Sequence, residues 1–274
     1  MPELPEVEVL RRSLVHRLPD RRITRIETRT PTLREPLDLR KLRRLVQGKR
    51  VTGLRRRAKY LLIDVEDDGV LVIHLGMSGR LTVVPNDEPL APHEHLLCHL
   101  EGGERLRLVD PRRFGLAFAL KADEIEEDRH FVHLGIEPLG GALDGAFLAN
   151  AAAGRRAPVK NFLMDGRLVV GVGNIYACES LWRSRVHPKR STARISATTW
   201  ERIAANVREV LSDAIEQGGT TLNDFADGEG NAGYFQVTLS VYGRDGEACP
   251  RCGRVVRRVV QAGRGTFYCP GCQR

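Results

Sequence analysis

The stretch AKYLLIDVEDDGVLVIHLGMSGRLTVV, residues 58–84, carries three short apolar runs separated by an acidic turn and a glycine-framed turn. Runs of this length, rich in Val, Ile and Leu and punctuated by such turns, predict consecutive antiparallel strands. The same pattern extends outward on both sides, in RRITRIETRT (21–30), KRVTGL (49–54), EHLLCHL (94–100), RLRLVD (105–110) and FGLAFAL (114–120). Residues 1 to 135 are therefore expected to form an antiparallel β-sandwich. A first helix packs against it, because Val7, Leu10, Leu14, Val15 and Leu18 recur at amphipathic spacing. The acidic stretch KADEIEEDRH (121–130) reads as a solvated helix or connector, leading to a boundary near HLGIEPLGG (133–141).

Beyond that boundary the period changes. In TTWERIAANVREVLSDAIEQGG, residues 198–219, apolar side chains fall at Ile203, Val207, Val210, Leu211, Ala214 and Ile215. Thr198 and Glu201 have capping-box spacing and Gly218 supplies a stop. LVVGVGNIYACESLWRSRVHP (168–188) reads as a turn followed by a helix, and the glycine-rich segment 218–235 as a loop. The class is α+β and multi-domain: a sandwich domain over 1–135, a helical domain over 136–239 and a small tail over 240–274. That tail is too short for a core of its own.

The tail explains itself through cysteine spacing. Cys249, Cys252, Cys269 and Cys272 read C-x2-C-x16-C-x2-C, two tight knuckles whose thiolates complete a tetrahedral shell. Four thiolates leave no open position, so one structural zinc per chain is expected. Cys98 and Cys178 lie in apolar-patterned segments and read as small buried hydrophobes.

Charge narrows the partner. The 274 residues hold 43 Lys+Arg against 35 Asp+Glu, a net +8. Residues 21–60 alone hold 15 basic against 3 acidic groups, and residues 244–274 hold 7 against 2. Two basic regions at opposite ends of a chain point to an acidic partner lying in a groove, and low aromatic content (5%) favours duplex over single-stranded nucleic acid. No run of apolar residues reaches the roughly 18–20 of a membrane span, and no signal peptide is recognisable, so a cytoplasmic protein without membrane contact is expected.

The start MPELPEVE (1–8) leaves two readings open. Pro5 suits a first helical turn and Glu6 and Glu8 the positive end of its dipole, so the stretch is in part a helix start. Pro2 has no role there. If Met1 is removed, Pro2 carries a free secondary amine, nucleophilic at neutral pH because α-amines titrate near ~7.7–8.0. Such an amine attacks a sugar carbon to give an iminium ion, and Glu3, with Glu6 one turn on, would stand near it as a proton carrier.

Six motifs occur together and in order: MPELPEVE at the start, RRAKYLL (56–62), HLGMSG (74–79), DPRRFG (110–115), VVGVGNIYACESL (169–181) and GRGTFYCPGCQ in the four-cysteine tail. Together they resemble the formamidopyrimidine-DNA glycosylase family, from the second residue to the last few. The resemblance implies a bifunctional DNA glycosylase and abasic-site lyase of base-excision repair. Its substrates are oxidised purines in duplex DNA, 8-oxoguanine and formamidopyrimidines, and it works through a Schiff base on Pro2 followed by β- and δ-elimination. It implies Glu3 as proton donor to the opening sugar and Lys59 as phosphate holder or proton donor. Arg264 becomes a hairpin-tip arginine that clamps phosphate or donates a proton, its high pKa favouring the clamp.

It further implies a wedge of Met77, Arg112 and Phe114 that fills the stack vacated by a flipped nucleotide. A helix–two-turn–helix follows, whose Asn174 and Lys160 grip phosphate, with His93 and Arg155 as further DNA contacts and segment 218–235 covering the lesion. By themselves, Lys59 reads as a solvated base and Met77 and Phe114 as core residues. Three positions depart from the pattern: Cys178, Ile136 and the missing glutamine before Arg264. The resemblance also covers the sister family, endonuclease VIII, against which PELPE, Met77 and the Arg112/Phe114 pair argue. A zinc-dependent DNA-binding regulator would need neither Pro2 nor Glu3. No obligate protein partner is expected, and the chain reads as a monomer.

Overall fold

The computed structural model describes residues 2–219 and 239–274. The chain divides into two compact units, one formed by the residues up to Val132 and the other by His133–Glu216 with the C-terminal residues. Most of segment 218–235, expected to act as a loop over the lesion, lies outside the described residues.

The first unit opens with helix α1 (Leu4–Leu14). Eight strands follow: β1 (Ile23–Thr28), β2 (Val51–Arg57), β3 (Tyr60–Val65), β4 (Gly69–His74), β5 (Arg80–Pro85), β6 (Glu94–Leu100), β7 (Glu104–Val109) and β8 (Leu116–Lys121). They form two four-stranded sheets of order β1-β6-β7-β5 and β2-β3-β4-β8, with every pairing antiparallel. The pairing of β4 with β8 runs in register from Gly69 opposite Lys121 to His74 opposite Leu116. One face of each sheet closes a common core: Ile26, Leu96, Cys98 and Leu108 from one sheet meet Leu61, Ile63, Leu71 and Ile73 from the other. Val7, Leu10 and Leu14 of α1 join the same core, so burial of that apolar stripe holds the N-terminus in place.

A second helix, α2 (Leu39–Val46), is absent from the sequence reading. Asp38 caps it by accepting the Lys41 N–H at 2.9 Å. The acidic stretch after β8 gives only a single 3-10 turn, Ala122–Glu124, followed by turns.

The second unit contains α3 (Gly145–Ala152), α4 (Val159–Leu163), α5 (Asn174–Arg183) and α6 (Ala197–Glu216), then the hairpin β9 (Arg257–Gln261) and β10 (Arg264–Tyr268). The predicted apolar face of α6 is buried from Trp200 to Ile215, and Gly218 follows its end with φ +77°. The capping prediction needs correction. Ser196, not Thr198, accepts the Thr199 N–H, at 3.3 Å. Glu201 reaches across instead to accept the Gly145 N–H at the start of α3, at 2.8 Å. A carboxylate within the first turn of one helix thereby serves the orphan donor of another. Among the described residues no helix is long and apolar enough to cross a membrane.

Candidate DNA-glycosylase site

The two units each carry part of the predicted constellation. In the first, Pro2, Glu3 and Glu6 are all buried at the mouth of α1. Glu3 is the N-cap: its side chain accepts from the Glu6 backbone, while Glu6 Oε2 accepts the Glu3 N–H at 2.7 Å. This reciprocal pair fixes the backbone immediately after Pro2 and satisfies donors that a helix start leaves open. Helix α1 packs on the β2–β3 hairpin. Arg56 Nε of that hairpin donates to Glu8 Oε2 at 3.3 Å. The Glu8 carboxyl is half-buried, which by itself would raise its pKa, but hydrogen bonds from Arg11 and Arg12 and the charge of Arg56 bring it below the ordinary value. Lys59, half-exposed, sits in the tight turn of the hairpin after Ala58, whose φ is +53°.

Met77, Arg112 and Phe114 come together through a polar hub that sequence reasoning missed. Asp110 is fully buried. Its Oδ1 accepts the Ser78 hydroxyl at 2.7 Å and its Oδ2 the Gly115 N–H at 2.7 Å. Ser78 Oγ in turn accepts the Arg112 N–H at 3.3 Å, and the Asp110 carbonyl is bonded to His95 Nε2 at 3.0 Å. One carboxylate thus ties the turn bearing Met77 to the loop bearing Arg112 and Phe114. Gly76 makes the approach possible. It has φ +62°, and a Cβ there would lie 2.3 Å from the Phe114 carbonyl carbon. Arg112 stacks over Phe114 with its guanidinium carbon 4.9 Å from the ring centre, and Phe114 is 43% exposed, so it is not a core residue. Met77 is half-buried.

His74, at the end of β4, supports the same turn by accepting the Gly76 N–H on Nδ1 at 3.0 Å. Burial first, then the charges of Lys59 and Arg34, press its pKa down to about 4. His93 is exposed, with φ +61°, at the foot of a loop that Arg105 clamps. The buried Arg105 guanidinium donates to the carbonyls of Pro85, Asn86 and Glu88 at 2.8–2.9 Å and to Glu94 Oε1 at 3.1 Å.

In the second unit the remaining residues converge on the β9–β10 hairpin. Arg264 is exposed and opens β10, directly after the turn Ala262–Gly263, whose φ values are +46° and +72°. Asn174 begins α5, capped by Gly173, and its Nδ2 donates to the Gly265 carbonyl at 2.9 Å. Lys160 is buried and its Nζ donates to Thr266 Oγ1 at 2.7 Å. Arg155 is exposed at the entry to α4, 3.9 Å from Asp165. Three of these four residues therefore meet at one hairpin, with Arg155 apart from it. Glu179, also unforeseen, anchors the chain as it enters the tail: it accepts the N–H groups of Ser240, Val241 and Tyr242 at 2.8–3.0 Å. Burial raises its pKa, against the pull of those three donors.

The four predicted cysteines form one cluster, with all Sγ atoms within 4.8 Å of one another. Cys249 and Cys272 stand 3.9 Å apart and Cys252 and Cys269 3.4 Å, far beyond a disulfide and close to the ~3.8 Å edge of a tetrahedron with ~2.3 Å Zn–S bonds. Burial and the neighbouring sulfurs push Cys272 up to about 12, while backbone N–H groups bring Cys249 down to about 6 despite its burial. Four such groups ionise together only around a cation, so the donor set fits one structural zinc ion. Cys98 and Cys178 are buried, as expected, and burial pushes the Cys98 thiol up to about 12.

Three family models cover this chain: the formamidopyrimidine-DNA glycosylase N-terminal domain over residues 1–117, its H2TH domain over 134–226, and the zinc finger found in FPG and IleRS over 246–274. The chain belongs to the formamidopyrimidine-DNA glycosylase family. Members from Rhizorhabdus wittichii and Vibrio vulnificus are 47% and 46% identical to it, each aligned over the whole of both chains. Among solved structures, a Lactococcus lactis FPG variant in complex with Fapy-dG containing DNA matches with a TM-score of 0.92 at 32% identity, covering all of both chains. The MutM (FPG) protein of Thermus thermophilus matches with a TM-score of 0.89 at 38% identity, covering 99% of this chain and 98% of that one. The L. lactis enzyme has also been solved with DNA containing an abasic site, at a TM-score of 0.92.

Proposed function

We propose that this chain removes 8-oxoguanine and formamidopyrimidines from duplex DNA in base-excision repair and then cleaves the abasic strand it has made, acting in the cytoplasm as a monomer. The observation that carries the reading is the buried start of α1, where the Glu3–Glu6 pair holds Pro2 in a fixed position beside the hairpin that bears Lys59. Membership of the family supports the same reaction.

Once Met1 is removed, the Pro2 nitrogen attacks C1′ of the everted nucleotide. The C1′–N bond breaks, its electron pair leaves with the base, and the base gains a proton. Glu3 protonates the ring oxygen as the sugar opens, leaving an iminium at C1′. That cation acidifies C2′, whose proton is lost as the 3′-phosphate departs. A second elimination then expels the 5′-phosphate, and water releases the sugar fragment from Pro2. Lys59 holds the adjacent phosphate. Met77 and Phe114 fill the vacated stack and Arg112 bonds the orphaned base. Arg264, Asn174, Lys160, His93 and Arg155 meet the backbone, and the zinc ion folds the tail that presents Arg264.

Glu3→Gln tests the assignment. It is expected to lose excision of 8-oxoguanine while keeping DNA affinity and part of its cleavage at preformed abasic sites, because the ring-opening proton matters before the base has left. Excision within about tenfold of wild type, roughly 1.4 kcal/mol of barrier, would remove Glu3 from that role.

A further inference from the structure

Trp182 lies in the last turn of α5, is only 9% exposed, and packs in one buried cluster with Cys249, Cys269, Val256 and Phe267. Two contacts pin it to the first cysteine knuckle. Arg251, between Cys249 and Cys252, lays its guanidinium carbon 4.0 Å from the centre of the indole. The same guanidinium donates Nη1 to the Trp182 carbonyl at 3.1 Å. The third feature is the indole N–H. Among the described residues it has no oxygen or nitrogen acceptor although it is buried. The group within its reach is the Cys249 sulfur. An indole nitrogen can only donate, and a desolvated donor needs an acceptor.

We propose that Trp182 tunes the zinc centre: its N–H donates a hydrogen bond to the Cys249 thiolate, and Arg251, stacked on its face, locks the ring in that orientation. The inference rests on the reading of the four cysteines as a zinc site. A hydrogen bond to a ligand atom draws charge from the thiolate and protects it from protonation, as partners of metal ligands generally do. It also ties α5 to the metal module at its C-terminal end, while Asn174 ties the other end through the Gly265 carbonyl. Trp182 is thus a positioning residue for the knuckle rather than a DNA contact.

The test uses the full chain with zinc exchanged for cobalt. In Trp182→Phe the thiolate-to-cobalt charge-transfer band moves to longer wavelength and metal affinity falls about tenfold, the low end of the range for such partners. Arg251→Met, which removes the stacking but leaves the donor, keeps the band closer to its wild-type position. An unshifted band in Trp182→Phe overturns the proposal. Wild-type protein that binds no metal in stoichiometric amount overturns the zinc reading and this inference with it. NMR of the unaltered sequence loaded with NMR-active cadmium makes the test independent of any variant's folding. The Trp182 indole proton should show scalar coupling to the metal and that of Trp200, the only other tryptophan, should not. No coupling at Trp182 refutes the hydrogen bond.

Discussion

Replacing Asp110 by Asn keeps the shape of the hub and removes its charge. The carboxylate now accepts two buried donors, the Ser78 hydroxyl and the Gly115 N–H, both at 2.7 Å. An amide offers one oxygen in place of two, and its NH2 faces a donor instead of receiving it. One charge-assisted bond, worth about 1.5–3 kcal/mol, is lost outright, and the buried Gly115 N–H or the Ser78 hydroxyl is left unpaired. Ser78 can rotate to accept, which recovers part of the loss, so the net cost should be about 2–3 kcal/mol. Asp110→Ala strands both donors and opens a small void, for about 3–5 kcal/mol. Urea denaturation followed by circular dichroism measures both costs. The turn bearing Met77 and the loop bearing Arg112 and Phe114 lose their common tie, so single-turnover excision of 8-oxoguanine should fall at least tenfold in conditions where the variant is fully folded. Asp110→Asn as stable as wild type and equally fast would refute the role given to this carboxylate.

Two further outcomes follow from the polar interior and the cysteine cluster. His74 titrates near about 4 in the folded protein against ~6.5 when unfolded, so the unfolded chain binds the extra proton between those values. Its contribution is therefore complete above pH ~6.5 and fades, by at most ~1.4 kcal/mol per pH unit, as pH falls toward 4. The stability difference between wild type and His74→Phe should shrink over that window, and a difference constant in pH would contradict the assignment. Stripping zinc with a chelator, or Cys249→Ser, should unfold residues 240–274 and abolish binding to damaged duplex in a gel-shift assay, because Arg264 loses its platform. Tight binding by metal-free protein would show the cluster to be dispensable.

What could be read in the sequence was whatever depends on local pattern. The strands of 60–84 declare themselves because their apolar runs are bounded by turns, and the four cysteines because their spacing is short-range. Helix α2 escaped because LRKLRRLV carries four basic residues among its eight, so its apolar stripe of Leu42, Leu45 and Val46 was hidden in a charge run. Asp110, Ser78, Arg105 and Glu179 escaped for a different reason. Each looks like a surface residue in the sequence, and each is buried by partners far along the chain: Glu179 bonds residues some sixty positions away. The N-cap of α6 was misplaced by two residues, since Ser196, Thr198 and Thr199 offer equivalent hydroxyls and only the arrival of α3 draws Glu201 away from a capping box. Lys160 and Asn174 stand out in the sequence as chemistry, yet their bonds to Thr266 and Gly265 depend on a hairpin about a hundred residues on.

The central claim is that Pro2 forms a covalent bond to the damaged nucleotide. Protein with Met1 removed should be mixed with duplex DNA carrying 8-oxoguanine opposite cytosine, reduced with borohydride, digested and mapped by mass spectrometry. The account predicts a sugar fragment joined to the nitrogen of Pro2, and no adduct in protein that retains Met1. An adduct on Lys59 or any other lysine in place of Pro2, or full strand cleavage by homogeneous Met1-retaining protein, would contradict it.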